Sequence, residues 1–197
     1  MFIVDISHIW DKYEITSNFI ALVPVRIQPL HNGHVELLLN LSKRFKKVIV
    51  LIEPEFGGQD DPFSLEDRIK MVKAVSCHFN LENIIACSIL DAKTQPIQAR
   101  IHWYHELVVD NGGTCESFVV ISGNQQVLSS YKNRYKFCFV DWRKVKADKF
   151  LDNNFFASRD GNARKIREMI KSGGTISEDL VLPEILKIIK RRFNLKK

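Results

Sequence analysis

Cysteine is sparse in this chain of 197 residues: there are four, Cys77, Cys87, Cys115 and Cys138, and none forms a CxxC pair. Such wide spacing argues against a zinc finger or a dense disulfide framework, and thiols beside apolar runs behave as small hydrophobes. No run approaches the roughly 20 apolar residues that span a bilayer, so no membrane partner is expected. The opening MFIVDISHIWDKYEI lacks the basic region and unbroken apolar stretch of a secretory signal. A reducing, cytoplasmic setting is the expectation. Internal repeats and low-complexity tracts are missing as well, which argues against repeat architectures.

What is present suits a soluble globular protein: 45% hydrophobic and 26% charged residues. The length fits a single domain over 1–197, with residues 1–18 as an N-terminal extension of no assigned role and 161–197 as a helical C-terminal part. A formal charge of +6 favours anionic partners, though weakly, since such a surplus is common.

Apolar runs of strand length alternate with amphipathic runs of helix length. Strands are expected at Phe19–Val25, Lys47–Glu53, Asn83–Leu90, Ser117–Ser122 and Lys136–Asp141, most of them near-continuously apolar, as strands covered on both faces are. Helices are expected at His34–Phe45, Leu65–Cys77, Gln98–Asp110 and Gln125–Lys132. Ser64 followed by Asp67 reads as a capping box, Gly173 as a helix C-cap after GNARKIREMIKSGG, and Pro183 as the first turn of PEILKIIKRRF. The alternation predicts an α/β fold, a doubly wound, Rossmann-like, five-stranded parallel sheet with C-terminal helices.

In such sheets ligands bind beyond the carboxyl ends of the strands, where strand order reverses. The turn after the first strand, RIQPLHNGH, is where chemistry gathers. His34 falls in the first helical turn, where unpaired N–H groups and the helix dipole favour an anion. His31 can aim at the same phosphate, Arg26 can reach it from the strand end, and Gly33 permits close approach or a positive φ. Two alternatives stand beside phosphate binding. The histidines can be solvated surface residues, or ligands of a metal, although no third Cys, Asp or Glu ligand is in view.

At these residues the sequence resembles the HxGH-motif nucleotidylyltransferases, and among them most closely the archaeal-type nicotinamide mononucleotide adenylyltransferases. DPFSLEDRIKMV is similar to a second segment of that family through Pro62, Phe63, Ser64 and Arg68, and VVISGNQQV to a third through Ser122, Gly123 and Asn124. The late segment GNARKIR matches the superfamily's second phosphate motif at Ile166 and Arg167. Asn162 and Arg164 stand where that motif has two hydroxyls, Val25 stands at a glycine position and Ile27 at an aromatic one. The resemblance implies adenylyl transfer from ATP, with Mg²⁺, to nicotinamide mononucleotide, giving NAD and pyrophosphate, by a homo-oligomer that binds ATP and a nucleotide acceptor. It assigns His31, His34 and Arg26 to catalysis, and Gly33, Asn162, Arg164, Lys165 and Arg167 to the ATP phosphates. Trp103, Ser122, Gly123 and Asn124 would bind the acceptor, with Trp103 stacked on the nicotinamide ring.

Each assignment has a plainer counterpart. Trp103 can be a core residue, Asn124 a helix cap, and the basic run at 164–167 a solvated helix face. Asp60 and Asp61 read as turn residues or Mg²⁺ contacts, Arg68 as structural, and His102 and His105 as surface. Runner-up functions are a nucleotidylyltransferase for another phosphorylated acceptor, or a non-catalytic nucleotide-binding protein. Nucleic acid is the weakest partner, since no basic patch is interleaved with aromatics.

Overall fold

The computed structural model describes residues 18–53, 61–88, 97–114, 116–122 and 163–195. Within them the elements are β1 (Ile20–Val25), α1 (Asn32–Arg44), β2 (Lys47–Ile52), α2 (Leu65–His78), β3 (Ile84–Ser88), α3 (Ile97–Asp110), β4 (Phe118–Val120), α4 (Ala163–Lys171) and α5 (Pro183–Phe193). Every expected element among these residues is present, with ends moved by up to two residues. The expected strand Lys136–Asp141 and helix Gln125–Lys132 lie outside the described residues, so four of the five expected strands are on view.

All described strand pairs are parallel, in the order β3–β2–β1–β4. The chain winds outward from β1 through β2 to β3, then crosses back to place β4 on the other side of β1. The reversal of strand order therefore falls between β1 and β4, and the turn after β1 opens directly onto it. Pro24 sharpens this crevice. The carbonyl of Leu22 accepts from the N–H of Ile121 at 2.8 Å. Pro24, next on that edge of β1, has no N–H for the following rung, so the two strands part there.

The period of two along each strand sorts the apolar side chains onto two faces. Ala21, Val23, Val48, Val50, Ile52, Val119 and Ile121 meet Val35 and Leu38 of α1, Met71, Val72 and Val75 of α2, Ile166 of α4 and Ile185 and Ile189 of α5. Ile20, Leu22, Ile49, Leu51, Phe118 and Val120 turn the other way, onto Tyr104 and Val108 of α3. With both faces covered, each such side chain contributes roughly 1.5–3 kcal/mol by burial.

Ser64 caps α2, its hydroxyl accepting from the Asp67 N–H at 3.2 Å while Asp67 accepts back from the Ser64 N–H at 3.3 Å. Helices α2 and α5 lie antiparallel, pinned at both ends: His78 meets Glu184 at 3.3 Å and Arg192 meets Asp67 at 3.7 Å. Each acid sits in a first turn and each base in a last turn, as the helix dipoles favour. Gly173 closes α4 with φ +67°, a left-handed conformation suited to glycine.

Gly113, between α3 and β4, is held by space rather than by backbone angle. A Cβ there would lie 2.5 Å from Val108 Cγ1 and 2.8 Å from Ile20 Cδ1. Gly113→Ala is expected to destabilise the fold by about 1–3 kcal/mol, as overpacking does. In urea the unfolding midpoint should fall with an unchanged slope; an unshifted midpoint would show that the α3–β4 turn opens freely.

Candidate active site

His31 is the N-cap of α1, with extended backbone angles and only 7% exposure. Its Nδ1 accepts from the Gly33 N–H at 3.2 Å, a role usually taken by Ser, Thr, Asp or Asn. His34, one turn into the helix, returns the bond: its Nδ1 accepts from the His31 N–H at 3.4 Å. The result is a capping box made of two imidazoles, their ring centroids 4.0 Å apart and tilted by 42°.

Those bonds set the chemistry. A nitrogen that accepts from a backbone N–H carries no proton, so each ring holds its proton on Nε2 and offers that N–H as a donor. Burial pushes His34 down to about 4. Burial, with the neighbouring His34 adding to it, also holds His31 well below the ordinary imidazole range. At neutral pH the pair is thus uncharged and each ring carries an Nε2–H donor, at a helix start whose own first N–H groups are already bonded: Asn32 to the Leu180 carbonyl, Gly33 to His31 Nδ1, and His34 and Val35 to the His31 carbonyl at 2.8 and 3.1 Å. Neutral N–H donors at the positive end of a helix dipole can meet an anion with no charge on either ring.

Gly33 has a specific reason to be glycine. Its backbone is not in the left-handed region, and a Cβ would lie 3.1 Å from His31 Cε1 and 3.2 Å from His31 Nδ1. The close approach it permits is that of the His31 ring; the expected positive φ is not found. Positive φ falls instead at Ile27, at +49° with its side chain buried, a costly conformation for a β-branched residue. The strained turn is bracketed by donors. Arg68, with no exposed surface, gives Nη1–H bonds to the carbonyls of Arg26 at 3.1 Å and Glu53 at 2.6 Å. Arg167 of α4 donates from Nη1 to the Gln28 carbonyl at 2.7 Å. Gln28, itself buried, exchanges two bonds of 3.0 Å with the backbone of Phe63.

Arg26 stands at the end of β1 with its side chain 43% exposed, its Nε 2.8 Å from Oδ1 of the buried Asp61. Asp61 thus orients Arg26, a role that the sequence reading as a turn residue did not contain. Asn32 anchors the helix start to the α4–α5 connection, its Nδ2–H and backbone N–H each donating at distances of 2.8 and 2.9 Å to the carbonyls of Asp179 and Leu180.

The other expected site residues divide clearly. Ser122 is buried just beyond β4 at the crevice, while Gly123, Asn124, Asn162 and Asp60 lie outside the described residues. Arg167 reaches the turn after β1; Arg164 lies on the exposed side of α4 against Glu168 at 2.9 Å, and Lys165 is exposed. Trp103 is half-buried on α3, beside the core residue Tyr104. His102 is exposed and meets Glu106 at 3.4 Å. Among the described residues no three His, Cys, Asp or Glu side chains gather as metal ligands.

Gln28 and Asn32 were not singled out in the sequence, and Asp61 was read only as a turn residue or Mg²⁺ contact, because nothing local marks a residue whose partners are 35 or 147 positions away. Arg68 had a signal: it occupies the stripe Arg68, Met71, Val72, Val75, an arginine on the core face of an amphipathic helix.

A parallel sheet with a helix N-terminus and paired histidine donors at its reversal point defines a nucleotide-binding α/β protein of the nucleotidylyltransferase superfamily. The sequence profile of the cytidylyltransferase-like family matches residues 25–153, and the chain belongs to that family. A phosphopantetheine adenylyltransferase from Clostridium botulinum (strain Langeland) is 26% identical over 184 residues, covering 90% of this chain and 96% of that protein. A bifunctional NMN adenylyltransferase/ADP ribose pyrophosphatase from Francisella tularensis shares the fold with a TM-score of 0.57 at 18% identity. That match covers 90% of this chain, which spans about half (51%) of the Francisella protein. A candidate nicotinate-nucleotide adenylyltransferase from Vibrio parahaemolyticus superposes with a TM-score of 0.59 at 16% identity, over 87% of this chain and 98% of that one.

The histidine pair makes a pH prediction. The folded rings take up protons only well below 6.5, whereas the unfolded chain binds them near 6.5. Between about 6.5 and about 4 the unfolded state therefore binds more protons, so stability falls as pH is lowered through that window. In an NMR titration His34 should titrate at about 4, and the denaturant midpoint should drop between about pH 7 and about pH 5. A His34 ring titrating near 6.5 would instead mean a solvated pair.

Proposed function

We propose that this protein is an adenylyltransferase that joins ATP and nicotinamide mononucleotide to give NAD and pyrophosphate. The observation that carries the reading is the pair of neutral imidazoles, each held by a backbone N–H so that Nε2–H is the donor, at the helix start beside the sheet's reversal point. In this reaction a phosphate oxygen of the acceptor attacks the α-phosphorus of ATP. The bond from that phosphorus to the bridging oxygen breaks, and pyrophosphate leaves with the electron pair. No proton needs to come from the enzyme, so two neutral donors suit the chemistry better than a general acid would. Their work is to hold the α-phosphate oxygens as negative charge shifts in the transition state.

Arg26, aimed by Asp61, would add a cationic donor from the strand end. Arg167, Arg164, Lys165 and Asn162 would hold the outer phosphates from α4 and its approach, and Gly33 lets His31 keep its place. Trp103 and the Ser122–Asn124 segment would receive the acceptor. Mg²⁺, when bound on the ATP phosphates, would offset their charge. The superfamily's solved structures from Francisella and Vibrio support a pyridine nucleotide acceptor.

A second reading is favoured by the Clostridium relative, which matches over nearly its full length: phosphopantetheine in place of the nucleotide. One assay separates the two. Pure protein with ATP and Mg²⁺ is offered nicotinamide mononucleotide, nicotinic acid mononucleotide, phosphopantetheine or FMN, and pyrophosphate release is followed together with the dinucleotide formed. NAD from the first acceptor is expected; pyrophosphate only with phosphopantetheine moves the assignment, and none with any acceptor ends the enzymatic reading. His34→Ala should lower kcat by about 10²–10³-fold, the usual loss for one preorganised donor. Gly33→Ala, whose methyl would press on the His31 ring, should cost about tenfold through misplacement of that ring.

A further inference from the structure

We propose that Gln28 is a positioning residue that holds the two imidazoles in place through a two-point clamp on the backbone of Phe63. Its kinetic consequence rests on the adenylyl-transfer reading above; its structural consequence does not.

Gln28 is 2% exposed. Its Nε2–H donates to the Phe63 carbonyl at 3.0 Å, and its Oε1 accepts from the Phe63 N–H at 3.0 Å. The backbone partners have fixed polarity, so the orientation of the amide is settled by the bonds themselves. The side chain acts as a single rung of sheet, joining the turn after β1 to the segment that leads into α2. Replacing it with an apolar group would leave a buried N–H and a buried C=O of Phe63 unpaired at once.

What the clamp controls follows from its neighbours. Ile27, immediately before it, has φ +49°. A non-glycine residue stays in that region only where its surroundings over-determine it. Here both flanking carbonyls are held, that of Arg26 by Arg68 and that of Gln28 by Arg167. The Gln28 side chain supplies the third fastening. Relaxation of Ile27 would turn the chain on both sides, swinging Arg26 one way and Leu30–His31 the other. His31 would then lose its alignment with the Gly33 N–H, and with it the bond that keeps the proton on Nε2. Gln28 touches no reacting atom in this account; it acts through His31 and His34.

The test uses the full chain, Gln28→Leu and Gln28→Glu. Leucine keeps the bulk and removes both bonds. Glutamate keeps the length and the acceptor for the Phe63 N–H but has no amide donor for the Phe63 carbonyl. Imidazole ¹⁵N spectra of the ligand-free protein report the tautomers directly, and kcat and KM for ATP are measured beside them.

For Gln28→Leu, kcat should fall about tenfold or more while KM for ATP stays within about threefold, the pattern of lost transition-state alignment. The Nε2–H signature of His31 and His34 should give way to a mixture of tautomers. Gln28→Glu should recover part of both. The proposal is overturned by a Gln28→Leu protein with parental kcat and unchanged tautomers, by a rise in KM alone, or by Gln28→Glu faring no better than Gln28→Leu. If Gln28→Leu does not fold, Gln28→Glu decides alone: intermediate kcat and partly mixed tautomers support the clamp, and parental values of both refute it. If the parent transfers adenylyl groups to no acceptor, the functional reading fails, and the tautomer spectra still decide the role of Gln28.

Discussion

The hydrogen bond from the Gly33 N–H to His31 Nδ1 is the interaction on which the site depends, since one contact does three things. It satisfies a donor that the start of α1 would otherwise leave open. It takes the lone pair on Nδ1, so the proton must reside on Nε2. And it draws the ring so close to the backbone that a Cβ at residue 33 would press on it at 3.1 Å. The reciprocal bond into His34 repeats the tautomer choice. Burial then keeps both rings neutral, because a charged imidazole would lose its hydration there. Cap, glycine and donor pair form one device, and removing any part disturbs the others.

The rest of the structure aims that device. The sheet reverses its strand order beside β1, and Pro24 opens the ladder to β4 at the level where the turn begins. Around the turn the fastenings are directed at carbonyls: the Gln28 side chain's is buried, and those from Arg68 and Arg167 are partly buried. Such bonds are expensive to leave unmade, about 1–3 kcal/mol for each buried group orphaned. The exposed Arg164–Glu168 pair, by contrast, is worth only about 0.3–0.5 kcal/mol, as i,i+4 surface pairs are. It can therefore be given up at little cost, whereas the fastenings of the turn cannot.

Much of this was legible in the chain before folding was considered. Periodicity located the described strands and helices to within two residues, since apolar spacing of two and of 3.6 reflects local geometry. Ser64 with Asp67, Gly173 and Pro183 were readable as helix signals because capping involves residues three or fewer positions apart. His31, Gly33 and His34 were readable for the same reason. The arginine on the apolar stripe of α2 was also in view, though its carbonyl partners were not.

The sequence by itself determined the elements, their parallel sheet and the composition of the turn after β1, all of which follow from contacts within a few residues or from chain connectivity. Only the tertiary structure decided that Gly33 makes room for a ring, that the backbone strain lies at Ile27, and that Gln28, Asp61 and Arg167 are bound up with the turn. The bonds of Gln28, Asp61 and Arg167 join groups 35 to 139 positions apart. Such pairings come into being when the sheet brings its strand ends together, and no local pattern of residues encodes them.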